Sequence, residues 1–370
     1  MPREAIRAGL SCDPSFQAVK AFSIIPECFF RDEAEPDPAK RWKAYGFMSL
    51  NLRRRGGAYL YSADGLTWHV HPEVPVLDPS VRGTPAVVGG PESQIHDTVV
   101  FPYGGYYVAL YQNQYDGRRL DIELAVSRDA ETFVHVKPGE KIIPLGAPGS
   151  WDADYIIQTN PILFEDSIWV YYGGGHYFEV PAQEKARYPL VDLKFQPGLA
   201  TLRRDGFTSV ALAEGQSAAG GEGSLTTIPF RVAQASCPMS LTLLQECRLQ
   251  PAERPRDGQP EGCTPECQFH WESGLLSLVV NAACDRERTL TVELLEAATG
   301  QPIPGYSRAD CDPLTSDAVR QAVTWRGQAG LPRLEGKRLR LRFHFHGDAS
   351  MPRLYSFGFA GYAVKGDMQG

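Results

Sequence analysis

The 370-residue sequence lacks any apolar run near the ~20 residues that a membrane-spanning helix needs, which excludes a helical membrane protein. It also lacks a basic excess, because 37 Lys and Arg residues stand against 44 Asp and Glu residues and give a net charge of −7. A protein that binds nucleic acid through phosphate contacts needs the opposite balance. We therefore expect neither a membrane nor a nucleic acid as a partner, and the sequence leaves the oligomeric state open.

Signals for secretion and for metal binding are also scarce. The N-terminal residues lack the apolar core of a secretory signal, so the sequence as it stands predicts a cytoplasmic protein. Without such a signal, the eight cysteines are better interpreted as thiols than as disulfides. The eight His show no HxxxH spacing, and Cys263-Thr-Pro-Glu-Cys267 has no second close pair to complete a zinc site. The sequence predicts no cofactor and no metal.

Methionine is rare, with 5 residues, whereas 36 Gly, 29 Pro and 11% aromatic residues favour turn-rich β structure. An apolar strand that ends in a turn, Tyr59–Trp68, recurs further along the chain as Leu124–Phe133 and again as Leu199–Phe207. Ser and Asp side chains in such turns accept hydrogen bonds from backbone N–H groups, so Asp64, Asp129 and Asp205 are predicted to be structural.

A second repeated element precedes each turn. The hairpin at residues 99–111 matches the one at 162–173, in which Trp169 takes the place of Tyr107, and residues 28–45 form a first copy. Each repeat therefore holds about four strands over roughly 60–75 residues, the size of a β-propeller blade with its loops.

The pattern changes after a Gly/Ala/Ser-rich segment at residues 217–223, which is typical of a linker. Later segments alternate apolar and polar residues with period two, most clearly in residues 338–345, where Leu339, Leu341, Phe343 and Phe345 share one side. Such alternation predicts an antiparallel β-sandwich. We therefore expect an all-β protein with two domains, propeller blades over residues 1–225 and a β-sandwich over residues 236–361.

Several motifs resemble those of the five-bladed β-propeller glycoside hydrolase superfamily, which includes invertase and arabinanase/xylosidase relatives. They are SxDGxxW at residues 62–68, Phe101-Pro-Tyr-Gly-Gly-Tyr-Tyr107, Gly149-Ser-Trp-Asp152, Ile168-Trp-Val-Tyr-Tyr-Gly-Gly174 and residues 199–207. The segments at residues 301–307, 310–313, 323–325 and 354–357 are similar to the C-terminal β-sandwich of the same proteins. Five blades of this size need about 300 residues, and three repeats precede the linker. The resemblance therefore implies a propeller that lacks blades on its N-terminal side.

Glycoside hydrolysis requires one carboxylic acid at the leaving oxygen and a second carboxylate as base or nucleophile. In a propeller, the starts of the innermost strands would supply them. Glu92 and Asp154 are separated by the same interval as Tyr107 and Trp169, which gives them equivalent positions in successive repeats. Asp97 follows His96 in the second repeat, and Asp152 belongs to the Trp-Asp motif. We predict Glu92 as the general acid and Asp152 or Asp154 as the second carboxylate. The alternative for each acidic residue is a structural turn residue.

Aromatic rings near these acids would stack on the apolar faces of a sugar. The predicted substrate-binding residues are His96, Trp151, Tyr155 and His176, and Asp97 would tune or bind beside them. The sequence thus predicts a glycosidase that acts on a carbohydrate substrate. Its alternatives are a carbohydrate-binding protein without catalysis, derived from a shortened propeller, and a scaffold whose sandwich is an interaction surface.

Overall fold

The computed structural model describes residues 24–51, 54–78, 94–115, 119–176, 195–213, 221–232, 268–269, 274–331 and 337–363. Within these ranges all regular elements are strands, apart from one 3-10 turn at Pro38–Lys40. No helix in the described part of the chain is long and apolar enough to cross a membrane. The all-β prediction is confirmed, and the chain divides into two compact units, residues 1–202 and 203–370.

The first unit contains the strands of the three sequence repeats. They are β1 (Ile24–Arg31), β2 (Trp42–Asn51), β3 (Arg54–Ser62), β4 (His69–Val70), β5 (Gln94–Tyr103), β6 (Tyr106–Tyr115), β7 (Arg119–Ser127), β8 (Phe133–His135), β9 (Tyr155–Gln158), β10 (Ile162–Phe164), β11 (Ser167–Gly175) and β12 (Gln196–Arg203). Strands β1 to β4 form one antiparallel sheet in chain order, and β5 to β8 repeat this arrangement, as propeller blades do.

The third repeat differs from the expected four-stranded blade. Strands β9 and β10 both pair with β11, at opposite ends of it, and β12 also pairs with β11. One parallel pair, Leu120 with Tyr155, joins β7 to β9, so the second and third repeats share one eight-stranded sheet. The first repeat therefore forms a separate four-stranded sheet, as a propeller blade does. The second and third repeats do not form separate sheets.

Side chains lock the neighbouring repeats together. Tyr45 and Tyr59 stack in the core between the first two repeats, with ring centroids 4.9 Å apart. Between the second and third repeats, Gln112 Nε2 donates to the Ile156 carbonyl at 2.5 Å, and Gln158 Nε2 donates to the carbonyls of Asp97 and Leu110 at 3.1 and 2.9 Å. The first strands of the three repeats are thereby held side by side.

The predicted turns are confirmed at Ser62–Thr67. The Ser62 hydroxyl donates to Asp64, whose carboxylate also accepts the N–H groups of Leu66 and Thr67 at 2.8 and 2.7 Å. Gly65 has a φ of +74°, the left-handed region that glycine adopts without strain. Ser127 and Asp129 form the same bonds in the second repeat.

In its described residues, the second unit contains eight strands in two sheets. They are β13 (Gly221–Thr226), β14 (Phe230–Val232), β15 (Gln268–Phe269), β16 (Gly274–Ala283), β17 (Thr289–Glu296), β18 (Ala318–Ala322), β19 (Arg338–Gly347) and β20 (Arg353–Ala363). In one sheet β19 lies between β17 and the β13 and β14 strands, and β16 is central in the other. Both sheets contribute to one core, in which Leu341 and Phe343 of β19 pack with Leu278 and Phe357. This is a β-sandwich.

The alternation predicted for β19 is confirmed, because Leu339, Leu341, Phe343 and Phe345 are all at most 3% exposed. The boundary between the units, however, lies earlier than the predicted division at residues 225–236. Residues 221–226, which the composition assigned to the linker and the propeller, pair along their whole length with β19. Backbone pairing places this Gly-rich segment in the sandwich, and Gly-rich composition by itself does not distinguish a linker from such a strand.

Candidate carboxylate site

Three carboxylates occupy equivalent places in the first strands of the three repeats. Each is followed by one variable residue and two apolar residues: Glu27-Cys-Phe-Phe, Asp97-Thr-Val-Val and Asp154-Tyr-Ile-Ile. Glu27 is the fourth residue of β1, Asp97 is the fourth residue of β5, and Asp154 directly precedes β9. Glu27 and Asp97 both lie at irregularities of their strands, where the register of β1 with β2 shifts between Pro26 and Cys28 and that of β5 with β6 shifts between Ile95 and Thr98.

Glu27 and Asp97 form a hydrogen-bonded carboxyl pair. Burial raises the pKa of Glu27 to about 10, helped by the hydrogen bond with Asp97 and the negative charge of Asp97. The Thr98 N–H, which donates to Glu27 Oε2 at 2.7 Å, and the Arg55 guanidinium lower this pKa by less. Burial and the neighbouring charge therefore favour the protonated form of Glu27 within this hydrogen-bonded pair.

Arg55 and Gln114 determine the protonation of His96. Arg55 Nη1 lies 2.9 Å from His96 Nδ1, and a guanidinium can only donate, so this nitrogen accepts. The remaining proton is then on Nε2, 3.2 Å from Gln114 Oε1. Burial lowers the pKa of His96, and the charge of Arg55 lowers it further. His96 is thus a neutral hydrogen-bonding residue beside the carboxyl pair.

Tyr155 belongs to the same surroundings. Burial raises the pKa of its hydroxyl, and the negative charge of Asp97 contributes in the same direction. Its ring packs edge-on against Phe195, with centroids 5.4 Å apart. Of the residues predicted from the sequence, the structure thus brings Asp97, His96 and Tyr155 together.

Asp154 is 2% exposed and lies beside His176, whose Nδ1 is 3.5 Å from Asp154 Oδ2. Its backbone is fixed on both sides, because its N–H donates to the Gly175 carbonyl and its carbonyl accepts the Leu120 N–H, each at 3.2 Å. The pairing of Asp154 with His176 places two more of the predicted residues together.

Asp152 and Trp151 contact residues of their own loop and of β11, and their predicted roles stay predictions. The Asp152 carboxylate accepts the Ser150 hydroxyl at 2.8 Å and the Tyr172 hydroxyl at 2.9 Å, so both of its oxygens are engaged. The Trp151 ring stacks on the Tyr172 ring, with centroids 5.6 Å apart. A Cβ atom added at Gly174 would lie 2.5 Å from the Trp151 ring. These contacts hold the loop that precedes β9 against strand β11. Glu92, the predicted general acid, lies outside the described residues.

Glu27 is not among the residues predicted from the sequence. The hairpin repeat does not reveal it, because the interval between Tyr107 and Trp169 differs from both intervals that separate the three carboxylates. The signal that could have found Glu27 is the pattern of an acidic residue, any residue and two apolar residues, at the start of each first strand. In the part of the chain that the structure describes, no group of three or more His, Cys, Asp or Glu is placed to hold a metal ion.

The fold and the site thus define a class of protein. It is an all-β protein with propeller-type repeats and with carboxylates at the first strands of those repeats. No model of a known protein family matches the chain, and no curated protein matches it significantly. Solved structures similar to it include glycoside hydrolases at low identity and partial coverage.

Three of the similar structures illustrate the range of sequence identity and coverage. A family 117 glycoside hydrolase of the marine bacterium Zobellia galactanivorans is 15% identical, with a TM-score of 0.34 over 49% of this chain and 52% of that one. A β-1,2-mannobiose phosphorylase of Listeria innocua, in complex with β-1,2-mannobiose, is 18% identical, with a TM-score of 0.31 over 46% and 40%. The family 32 β-fructofuranosidase of Bombyx mori is 9% identical, with a TM-score of 0.28 over 92% and 79%. The chain spans about half the length of the family 117 enzyme.

Proposed function

We propose that the protein is a glycoside hydrolase that acts on a glycoside or an oligo- or polysaccharide. The observation that supports this most is the hydrogen-bonded pair of Glu27 and Asp97, in which burial and the neighbouring carboxyl group raise the pKa of Glu27. A carboxylic acid kept neutral by its surroundings is what protonation of a leaving glycosidic oxygen requires. Asp154, in the equivalent place of the third repeat, is the proposed second carboxylate.

In the proposed reaction, the Glu27 O–H proton passes to the leaving oxygen as the bond from that oxygen to the anomeric carbon breaks. Asp154 either takes a proton from water as the water oxygen bonds to the anomeric carbon, or attacks the anomeric carbon itself. In the second case, water then displaces Asp154 from that carbon and gives a proton to Glu27. The separation of Asp154 from the acid decides between the two routes. Asp97 accepts the hydrogen bond of Glu27 until the proton leaves. His96, neutral and held by Arg55 and Gln114, and Tyr155 are proposed to contact the sugar.

The test is a screen of aryl-glycosides and oligosaccharides with the wild-type protein, Glu27→Gln, Asp97→Asn and Asp154→Asn. Glu140→Gln is the matched control, because it removes one acidic charge from an exposed position. We expect the three site variants to lose at least about a hundredfold in turnover, in line with the loss of a general acid or base. The control should retain wild-type turnover.

Full turnover in Glu27→Gln and Asp97→Asn would show that neither residue of the carboxyl pair is the general acid. Glu92→Gln belongs in the same series, because Glu92 stays the acid predicted from the sequence, and full turnover would remove it from that role. Saturable binding of a sugar without hydrolysis by the wild-type protein would instead favour the alternative function, a carbohydrate-binding protein without catalysis.

A further inference from the structure

The solvent face of β19 carries an unbroken row of basic side chains. Every second residue of this strand faces the sandwich core, and the residues between them face outward: Arg338, Arg340, Arg342, His344 and His346. Side chains on one face of a strand repeat every two residues, or about 6.6 Å. The row therefore runs for four such steps along the middle of the sheet.

The neighbouring strands frame this row with hydroxyl groups. By strand register, Ser224 and Thr226 of β13 lie beside His344 and Arg342 on one side. Thr289 and Thr291 of β17 lie beside His346 and His344 on the other side. Arg342 Nε donates to Thr226 Oγ1 at 3.2 Å, so a guanidinium group and a hydroxyl are in contact on this face.

Two carboxylates neutralise part of this face. Glu293 is only 8% exposed; it accepts His344 Nε2 at 2.9 Å and the Arg308 N–H at 3.0 Å, and its Oε2 lies 3.5 Å from Arg342 Nη1. Glu222 is paired with Arg308 at 2.8 Å and lies 4.0 Å from His346 Nδ1. The three arginines of the row together with Arg308 still outnumber the two glutamates, and Arg338 is exposed at the start of the row.

From this row we infer that the outer face of β19 binds an acidic polysaccharide, one that carries carboxylates on its sugar units. Guanidinium groups bind carboxylates through two parallel N–H donors, and the flanking hydroxyls suit the hydroxyl groups of sugars. The choice of a polysaccharide over other polyanions rests on these hydroxyls and on the proposed function.

The test measures binding of the full-length protein to polygalacturonate, with a neutral arabinan and poly(U) RNA as comparison polymers. The variant Arg338→Gln/Arg340→Gln/Arg342→Gln removes three charges from the row. The control Arg286→Gln/Arg320→Gln/Arg326→Gln removes three exposed arginines elsewhere in the same unit. We expect the row variant to bind polygalacturonate about tenfold or more weakly at low salt, and the control to stay within about twofold.

The wild-type affinity should fall as salt rises, and the row variant should show a flatter salt dependence. No binding to polygalacturonate, equal loss in both triple variants, or tighter binding to poly(U) would each overturn the inference. If the triple variant does not fold, the single variant Arg338→Gln, whose side chain is exposed, carries the same test with a smaller effect. Glycoside turnover distinguishes the two proposals, because none of these substitutions changes Glu27, Asp97 or Asp154.

Discussion

The backbone N–H of Thr98 in the second repeat donates to the side chain of Glu27 in the first repeat, at 2.7 Å. The residue before Thr98 is Asp97, the hydrogen-bonding partner of Glu27. One contact between two repeats therefore sets both the position of Glu27 and its distance from a second carboxyl group.

The first prediction concerns pH and the Glu27 carboxyl group. Its folded-state pKa of about 10 lies above the ordinary 4.5, so the protonated form is favoured in the folded state. The contribution of Glu27 to stability is then full below about pH 4.5 and declines as the pH rises towards 10. Glu27→Gln keeps a donor for Asp97 and carries no charge. We expect its melting temperature, relative to wild type, to rise steadily between these pH values, and a constant difference would contradict the raised pKa.

The second prediction concerns the Asp64 turn. The N–H groups of Thr67 and Leu66 and the Ser62 hydroxyl lower the pKa of Asp64 to about 2. A lowered pKa stabilises the folded state above the ordinary pKa of 3.8, and this contribution is lost as the pH falls towards 2. Asp64→Ala should lower the melting temperature at pH 7, and the difference from wild type should shrink between pH 4 and pH 2. Sugar binding should be unchanged, and loss of binding by a fully folded variant would make this turn part of the site.

The third prediction concerns Lys43, a fully buried lysine. Its Nζ lies 3.2 Å from Asp32 Oδ2 and 2.6 Å from Glu35 Oε2, and Asp32 also accepts the Tyr107 hydroxyl from the second repeat. Removing one member of a buried ion pair leaves its partners uncompensated, so Lys43→Met should lower the free energy of unfolding by about 3–5 kcal/mol. The control is Lys137→Met, which breaks the exposed Lys137–Glu140 pair and should cost less than about 1 kcal/mol. Equal effects in chemical denaturation would show that Lys43 is not in this buried network.

The fourth prediction separates Asp152 from the chemistry. The Tyr172 hydroxyl is bound to Asp152, and the pKa of Tyr172 is raised to about 12, first by burial and then by Asp152. Tyr172→Phe should reduce the free energy of unfolding by about 1–3 kcal/mol, the value of a hydrogen bond to a charged group. Turnover on any glycoside found in the screen should remain near wild type. A large loss of turnover in a stable Tyr172→Phe protein would instead indicate that Asp152 takes part in catalysis.

The sequence predicts features that depend on local patterns. The alternation of Leu339, Leu341, Phe343 and Phe345 predicts the buried side of β19, and the Ser62-to-Gly65 motif predicts its turn, since both depend on neighbours in the chain. The protonation of Glu27 is not predictable in this way. It depends on burial and on Asp97, a residue of another repeat, and neither is visible before the strands are paired. The contacts of Asp152 show the same limit, because the sequence does not show that the Tyr172 hydroxyl donates to this carboxylate.

The shared pattern of the three first strands makes this part of the protein more sensitive to insertions than to substitutions. In each strand the carboxylate is followed at a fixed distance by two apolar residues, and strand residues such as Cys28 and Val100 fill the core. One extra residue between Asp97 and Val99 would reverse the two faces of the strand beyond it. The chain could then keep either its core or its carboxylate in place, but not both. A library of single-residue insertions across β1, β5 and the start of β9 should therefore yield far fewer folded proteins than a substitution library over the same positions.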